Sequence, residues 1–393
     1  MNFLGDTYNV NFFWAYLLQN IKKVIQKIKF KNYKIFRSEQ TLELKPITIL
    51  IGKNNSGKSA IAKLPVLIGE CLEGKPISWQ YQIGNEDTNT VDLGSELKDL
   101  VYARNEITLL KLELYSTDLE KISYAINSQN GILEYIENEK TVDLSSHVFQ
   151  GFLLDGKYMN GFDLNTDYIG AIRVEPDYTF SYNNKKTDYI GIKGQNAYNI
   201  LIKDFLGDGT LINQVSKWYR ENFDNWDLKV QEEKLSTGTI YHLSISSKAL
   251  EINIKQTGQG IHQTLPLVVQ SFLKTDKPKL TIIEEPETHL HPAAHGVLAQ
   301  RFAESYLEDN NRNYLIETHS QNFVLRMRRL VAEKKLKPEN LALYFVDYDI
   351  DKNESSLRKI EVDSTGEVEW WPIGIFEDTL DEVINYRKAQ EQK

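Results

Sequence analysis

An apolar run followed at once by a glycine-bounded loop constrains this chain most: Ile47-Thr48-Ile49-Leu50-Ile51, then Gly52-Lys53-Asn54-Asn55-Ser56-Gly57-Lys58-Ser59. The loop spells G-x-x-x-x-G-K-[ST] between an expected strand and an expected helix, the setting in which such a loop wraps phosphate. Its glycines let backbone N–H groups turn inward around phosphate oxygens, and the helix start adds the positive end of a dipole. Lys58 is spaced to reach the β- and γ-phosphates and the Ser59 hydroxyl to ligate Mg2+. Gly52, Asn54, Asn55, Ser56, Gly57, Lys58, Ser59 and Ala60 are therefore the expected phosphate-binding residues.

Hydrolysis needs an acid on a nearby strand, and Leu280-Thr281-Ile282-Ile283-Glu284-Glu285 ends an apolar segment in two carboxylates. Glu284 is expected to hold Mg2+ through water, although aspartate is commoner at that place, and Glu285 to polarise the attacking water. Many strands end in acids that only solvate a turn; here the pair gains meaning from what surrounds it. Glu317-Thr318-His319-Ser320 follows the next strand and offers His319 as the group that senses the γ-phosphate. His289 and His291 form a second histidine pair, for which a metal site is not expected.

The remaining pattern alternates strands and helices, the mark of an α/β core. Strands are expected over 26–36, 40–44, 47–51, 279–284, 313–317 and 341–347, and helices from Gly57 to Leu72, from Gly260 to Phe272, after strand 279–284 to about Glu308, and over 320–335. Between the halves, β-type segments (107–115, 121–126, 132–136, 168–174, 228–254) and helices (195–205, 211–222) read as a β-rich and helical insertion. The expected division is 1–28 as an N-terminal helical extension, 29–105 as the first part of the core, 106–250 as the insertion, 251–347 as the second part of the core, and 348–393 as a strand-helix tail. The helical extension rests on Phe13, Tyr16, Leu17, Ile21, Val24, Ile25 and Ile28 recurring at helical spacing.

One cysteine, Cys71, excludes a disulfide framework and suits a reducing compartment, so a cytoplasmic protein is expected. The first 20 residues have the features of neither a signal peptide nor a membrane span. A net charge of −9 argues against general coating of nucleic acid. Basic runs at Lys22–Lys34 and Arg326–Lys337 keep local DNA contact open. Asp347-Tyr348-Asp349-Ile350-Asp351 has a metal-binding look, but Asp351-Lys352-Asn353-Glu354 reads as a hairpin turn between strands, and a nuclease site is not expected here.

Thr257-Gly258-Gln259-Gly260-Ile261-His262-Gln263-Thr264-Leu265-Pro266 resembles the signature segment of ABC-type ATPases related to SMC, RecF and OLD (overcoming lysogenisation defect) proteins. Glu284-Glu285-Pro286-Glu287-Thr288-His289-Leu290-His291-Pro292 resembles the acid and D-loop segment of that group, and Thr318-His319-Ser320 its switch. Tyr168 to Arg173, Gly191 to Gln195 and Gly366 to Pro372 extend the likeness. The chain is thereby similar to OLD-like AAA/ABC ATPases often encoded in phage-defence loci, without a Toprim nuclease domain.

The resemblance implies an ABC-type core, a mixed sheet with flanking helices, that takes ATP and Mg2+ between two copies facing head to tail. Thr257, Gly258 and Gly260 of one subunit would cap the triphosphate held by the other, with Glu285, His319 and Lys58 as catalytic residues and Ser59 and Glu284 at the metal. It further implies a switch that controls a separate effector, a nuclease or toxin, in antiviral defence. A RecF-like DNA-repair ATPase and a non-turnover scaffold glued by ATP are the alternatives. Gln80 and Gln82 are open candidates for the Q-loop, and Asn32, Tyr33 and Phe36 for contacts to the base.

Overall fold

The computed structural model describes residues 23–72, 91–94, 96–118, 120–127, 131–137, 140–141, 162–184, 189–372, 375 and 390. In chain order the strands are β1 (Lys23–Lys31), β2 (Gln40–Glu43), β3 (Ile47–Gly52), β4 (Leu110–Ser116), β5 (Lys121–Asn127), β6 (Gly131–Glu137), β7 (Lys140–Thr141), β8 (Phe162–Asp163), β9 (Thr166–Ile169), β10 (Asp227–Leu235), β11 (Gly238–Ser247), β12 (Leu250–Asn253), β13 (Lys279–Glu284), β14 (Arg312–Glu317), β15 (Leu341–Asp349) and β16 (Glu354–Ile360). The α-helices are α1 (Lys58–Leu72), α2 (Ala197–Leu206), α3 (Thr210–Asn222), α4 (Gln259–Phe272), α5 (Pro292–Glu308) and α6 (Gln321–Ala332).

The central sheet runs β16-β15-β3-β14-β13-β9, parallel except for β16, which returns antiparallel to β15. Both of its faces are covered, which explains why β3 is buried at every residue and, Thr48 apart, carries no polar side chain. Ile47, Ile49 and Ile51 join one core with Ile283, Ile316, Leu343 and helices α2 to α6. Leu50 points the other way, into a second core with Leu280, Ile282, Leu315, Tyr344 and α1. That second core is closed by an antiparallel sheet, β2-β1-β4-β5-β6-β7, with β8 alongside β1.

Two expectations change here. Residues 23–28 are strand, not the end of a helix; residues 1–22 lie outside the described part. A register shift between Ile25 and Lys27 inserts an extra residue, so Ile25 and Ile28 are both buried although three apart. A bulge thus imitates helical spacing. Residues 106–250, expected as one insertion, are divided by strand pairing: β4 to β7 join β1, β9 pairs with β13 in the central sheet, and β10 to β12 form a sheet of their own.

The hairpin of β15 and β16 turns through 350–353, where the Asp349 side chain accepts the backbone N–H groups of Asp351 and Lys352. The acids there are turn residues, as the sequence suggested. Gly366, at φ 78°, turns the chain after β16, and residues 376–389, where the tail helix is expected, lie outside the described residues.

Candidate active site

β3 delivers the chain to Gly52, packed so closely on β15 that a Cβ there would lie 2.3 Å from the Val346 carbonyl oxygen. Lys53, Asn54 and Asn55 then form an exposed arch, with Asn55 in the left-handed region (φ 62°), which asparagine tolerates. Gly57 closes the arch at φ 101°, where a Cβ would stand 2.7 Å from Ile35 Cδ1. Behind the arch the buried Ser355 hydroxyl donates to the Ser56 carbonyl at 2.7 Å.

α1 begins at Lys58, whose side chain is only 3% exposed. Its Nζ donates to the Lys53 carbonyl at 2.8 Å and lies 3.8 Å from Glu317 Oε1. Burial lowers its pKa, and the acids Glu317, Glu285 and Glu287 work against that shift. Pairing across the sheet sets Glu284 of β13 level with Glu317 of β14, and Glu317 level with Leu50 of β3. The acid pair therefore sits two strands from the phosphate loop, with β14 between them.

Glu285 has a left-handed backbone, φ 43°, and its N–H donates to the Glu317 carbonyl at 2.8 Å. That conformation costs a non-glycine residue on the order of 1–3 kcal/mol and persists only where neighbours impose it. Arg173, 3% exposed, is one of those neighbours: its Nη2 donates to the carbonyls of Glu284 at 2.8 Å and Glu285 at 3.1 Å. Burial brings the Arg173 pKa down to about 10, so it stays charged at neutral pH. Tyr168 supports the ionised form of Glu284 by a hydrogen bond, while burial pushes the pKa of Glu284 up.

The Glu285 side chain is 40% exposed, and its Oε1 lies 3.9 Å from His319 Nε2. His319 is held by its backbone, whose N–H donates to the Glu287 carboxylate. Burial lowers the His319 pKa and Lys58 lowers it further, so the imidazole is neutral at pH 7. Glu317 is 4% exposed, and burial, assisted by Glu284, pushes its pKa up to about 7.

The geometry thus gathers Lys58, Ser59, Glu284, Glu285 and His319 around one end of the central sheet. Thr257, Gly258 and Gly260 make their contacts elsewhere. Gly258 is exposed and caps α4, the Thr257 hydroxyl donates to the Ile254 carbonyl at 2.7 Å, and Gly260 lies against His289 and Leu290. Among the described residues, none of the hydrogen bonds or ion pairs joins 257–260 to 52–60.

Comparison with known proteins bears on the fold and the activity. A family model described as an AAA ATPase domain matches residues 164–324, and a second, described as a protein of unknown function (DUF3696), matches 336–384. A Helicobacter pylori protein described as an ATP/GTP phosphatase is 21% identical over 352 residues, spanning 79% of this chain and 89% of that one. The SMC head bound to the C-winged helix domain of ScpA superposes with a TM-score of 0.53 at 13% identity, covering 86% of this chain and 98% of that one. The chain is an ATPase, and its fold is the ABC-type P-loop fold of an SMC head. The SMC head domain from Thermotoga maritima is also similar, at 13% identity, 86% and 99% coverage and a TM-score of 0.47, too low to add to the argument.

Within this ATPase, two suggested roles for upstream aromatics are corrected. Tyr33 and Phe36 are fully buried, packed edge-on against Phe30, and the Tyr33 hydroxyl donates to the Ala60 carbonyl, so neither ring can meet a base. The Asn32 amide is bound to the Leu109 carbonyl. Gln80 and Gln82 lie outside the described residues. His291 Nδ1 accepts the Ala293 N–H and so caps the start of α5.

Sequence reasoning missed Glu317 and gave no role to Tyr168, Arg173 or Ser355. Glu317 had a signal of its own, an acid ending an apolar strand, but the neighbouring histidine drew the attention. Among the described residues no helix is long and apolar enough to cross a membrane.

Proposed function

We propose that this ATPase binds Mg·ATP between two copies of the chain, hydrolyses it, and uses the cycle as a conformational switch. The observation that carries the reading is the meeting of Lys58, Ser59, Glu284, Glu285 and His319 at one sheet end, with no hydrogen bond or ion pair among the described residues from the signature segment 257–260 to the phosphate loop. An exposed helix start with a glycine cap is complementary to the γ-phosphate of a second copy's nucleotide.

The donor set suits Mg2+, a hard cation that takes oxygen ligands: hydroxyl from Ser59 and carboxylate from Glu284, whose buried Oε1 has no hydrogen-bond partner. When bound, the cation would neutralise charge on the phosphates. In the chemical step the loop N–H groups and Lys58 hold the triphosphate, and Lys58 exchanges the Lys53 carbonyl for phosphate oxygens. Glu285 accepts a proton from the water whose oxygen bonds to the γ-phosphorus as the bond to the ADP oxygen breaks. Neutral His319 donates a hydrogen bond to the γ-phosphate.

The likeness to OLD-like proteins supports a further placement, as the sensor or regulatory subunit of an antiphage system acting on a separate nuclease or toxin. The net charge of −9 gives DNA no general attraction, so DNA ranks below a protein partner. The test is phosphate release and molar mass in solution, with and without ATP. Wild type should turn over and associate with ATP, and Glu285→Gln should associate without turning over. Absence of turnover in the wild type would leave the scaffold reading; stimulation by duplex DNA at physiological salt would leave the repair reading.

A further inference from the structure

Glu317 stands between the two halves of the site. It ends β14, flanked by β3 with the phosphate loop and by β13 with the acid pair. At 4% exposure it is almost wholly enclosed, and its Oε2 has no hydrogen-bond partner. Its outlook is towards the reaction centre: carboxylate oxygens of Glu285 and Glu317 and a ring nitrogen of His319 lie within 4.8 Å of one another. The Ser59 hydroxyl approaches the same carboxylate and favours its ionised form.

The charges around it leave a gap. The cations nearby are Lys58, at 3.8 Å, and Arg173, committed to the backbone of Glu284 and Glu285; the acids are Glu284, Glu285 and Glu287. Once Lys58 turns to phosphate, a buried carboxylate at Glu317 has no cation to face, and burying one unpaired is costly. The oxygen-rich ground beside Ser59 is where a divalent cation would restore the balance.

Resting on the ATPase reading above, we propose that the Glu317 carboxylate is a direct ligand of the Mg2+ that accompanies ATP, placed beside Ser59 and distinct in role from Glu284 and Glu285. Lys58 guards this carboxylate in the nucleotide-free protein and yields it to the cation as ATP arrives. The ion pair between them is therefore exchanged during loading.

Manganese is the probe: Mn2+ affinity is measured by electron paramagnetic resonance on the full chain saturated with a non-hydrolysable ATP analogue. Glu317→Gln should weaken Mn2+ on the order of tenfold or more. Its affinity for the analogue in EDTA should hold or tighten, because a negative charge beside the phosphates has been removed. Glu317→Asp, which keeps the charge on a shorter arm, should lie between and serves if the amide variant fails to fold. Unchanged Mn2+ affinity in both variants overturns the assignment. So does an equal loss in His319→Ala, which would put the cation in the outer trio with Glu285. A wild type that binds no nucleotide fails differently, since it removes the ATPase reading itself and this inference with it.

Discussion

Glu285 joins a water-facing carboxylate to an unfavourable backbone, and Arg173 grips that backbone from behind. Removing the grip should let the carboxylate drift while leaving the phosphate loop intact. Arg173→Gln is expected to lower kcat by about tenfold or more, in the range a misplaced catalytic group produces, with little change in nucleotide affinity. Steady-state kinetics beside equilibrium binding of a fluorescent ATP analogue check the split. Glu285→Gln itself should cost about 100-fold or more in turnover, the scale of losing a general base.

Asp167 makes a second residue-scale case, away from the chemistry. Burial pushes its pKa up to about 6, against the opposing pull of Lys279 at 3.8 Å. A carboxyl whose folded pKa is raised is tolerated while protonated and penalises the fold once ionised, so the penalty grows as pH climbs from about 4 through 6. Asp167→Asn should therefore gain stability over wild type at pH 7.5, by about 2–3 kcal/mol at most, and gain little at pH 4. Urea denaturation at the two pH values reads the difference; an equal gain at both would show that burial is not the cause.

At the scale of elements, the phosphate loop is shaped by what presses on it. Ile35 and Phe36 leave no room for a side chain at Gly57, which also sits at φ 101°. Gly57→Ala is expected to destabilise the protein by about 1–3 kcal/mol and to abolish measurable ATP binding, read by denaturation and calorimetry. Most of these elements were legible beforehand. A run such as Ile47 to Ile51, apolar on both faces, announces a covered central strand, and the loop after it announces phosphate. β1 was not legible in its first part, because a bulge gave Ile25 and Ile28 a helix-like interval. Glu317 was hidden for a related reason: its neighbours come from strands far away in sequence, and only the order β3-β14-β13 puts it between the loop and the acid pair. Tyr33 and Phe36 misled in the opposite sense, lying close to the loop in sequence while their rings turn inward.

At the scale of the whole molecule, one central sheet separates two cores, and the nucleotide residues collect at the strand ends where both cores and the loop meet. Among the described residues no hydrogen bond or ion pair ties the signature segment to the phosphate loop, and the proposed completion of the site by a second copy is open to test. Gly258→Asp would set a negative charge at the cap of α4, against the γ-phosphate of the facing copy. ATP binding by the monomer should survive, while association and turnover are lost together; light scattering and phosphate release decide. Loss of nucleotide binding in this variant would mean that each protomer makes its own cap.

The terminal hairpin reaches further than its edge position suggests. Among the described residues β16 pairs in the sheet with β15 alone, yet its Ser355 clasps the Ser56 carbonyl, Ser355 N–H meets the Ile35 carbonyl, Leu357 N–H meets Gln40, and Lys359 binds Glu43 at 2.8 Å. One ribbon near the carboxyl end is therefore riveted to the triphosphate cradle and to the second sheet together. A binding partner that prised this ribbon loose would slacken the cradle in the same motion, and a filled cradle would brace the ribbon against being prised.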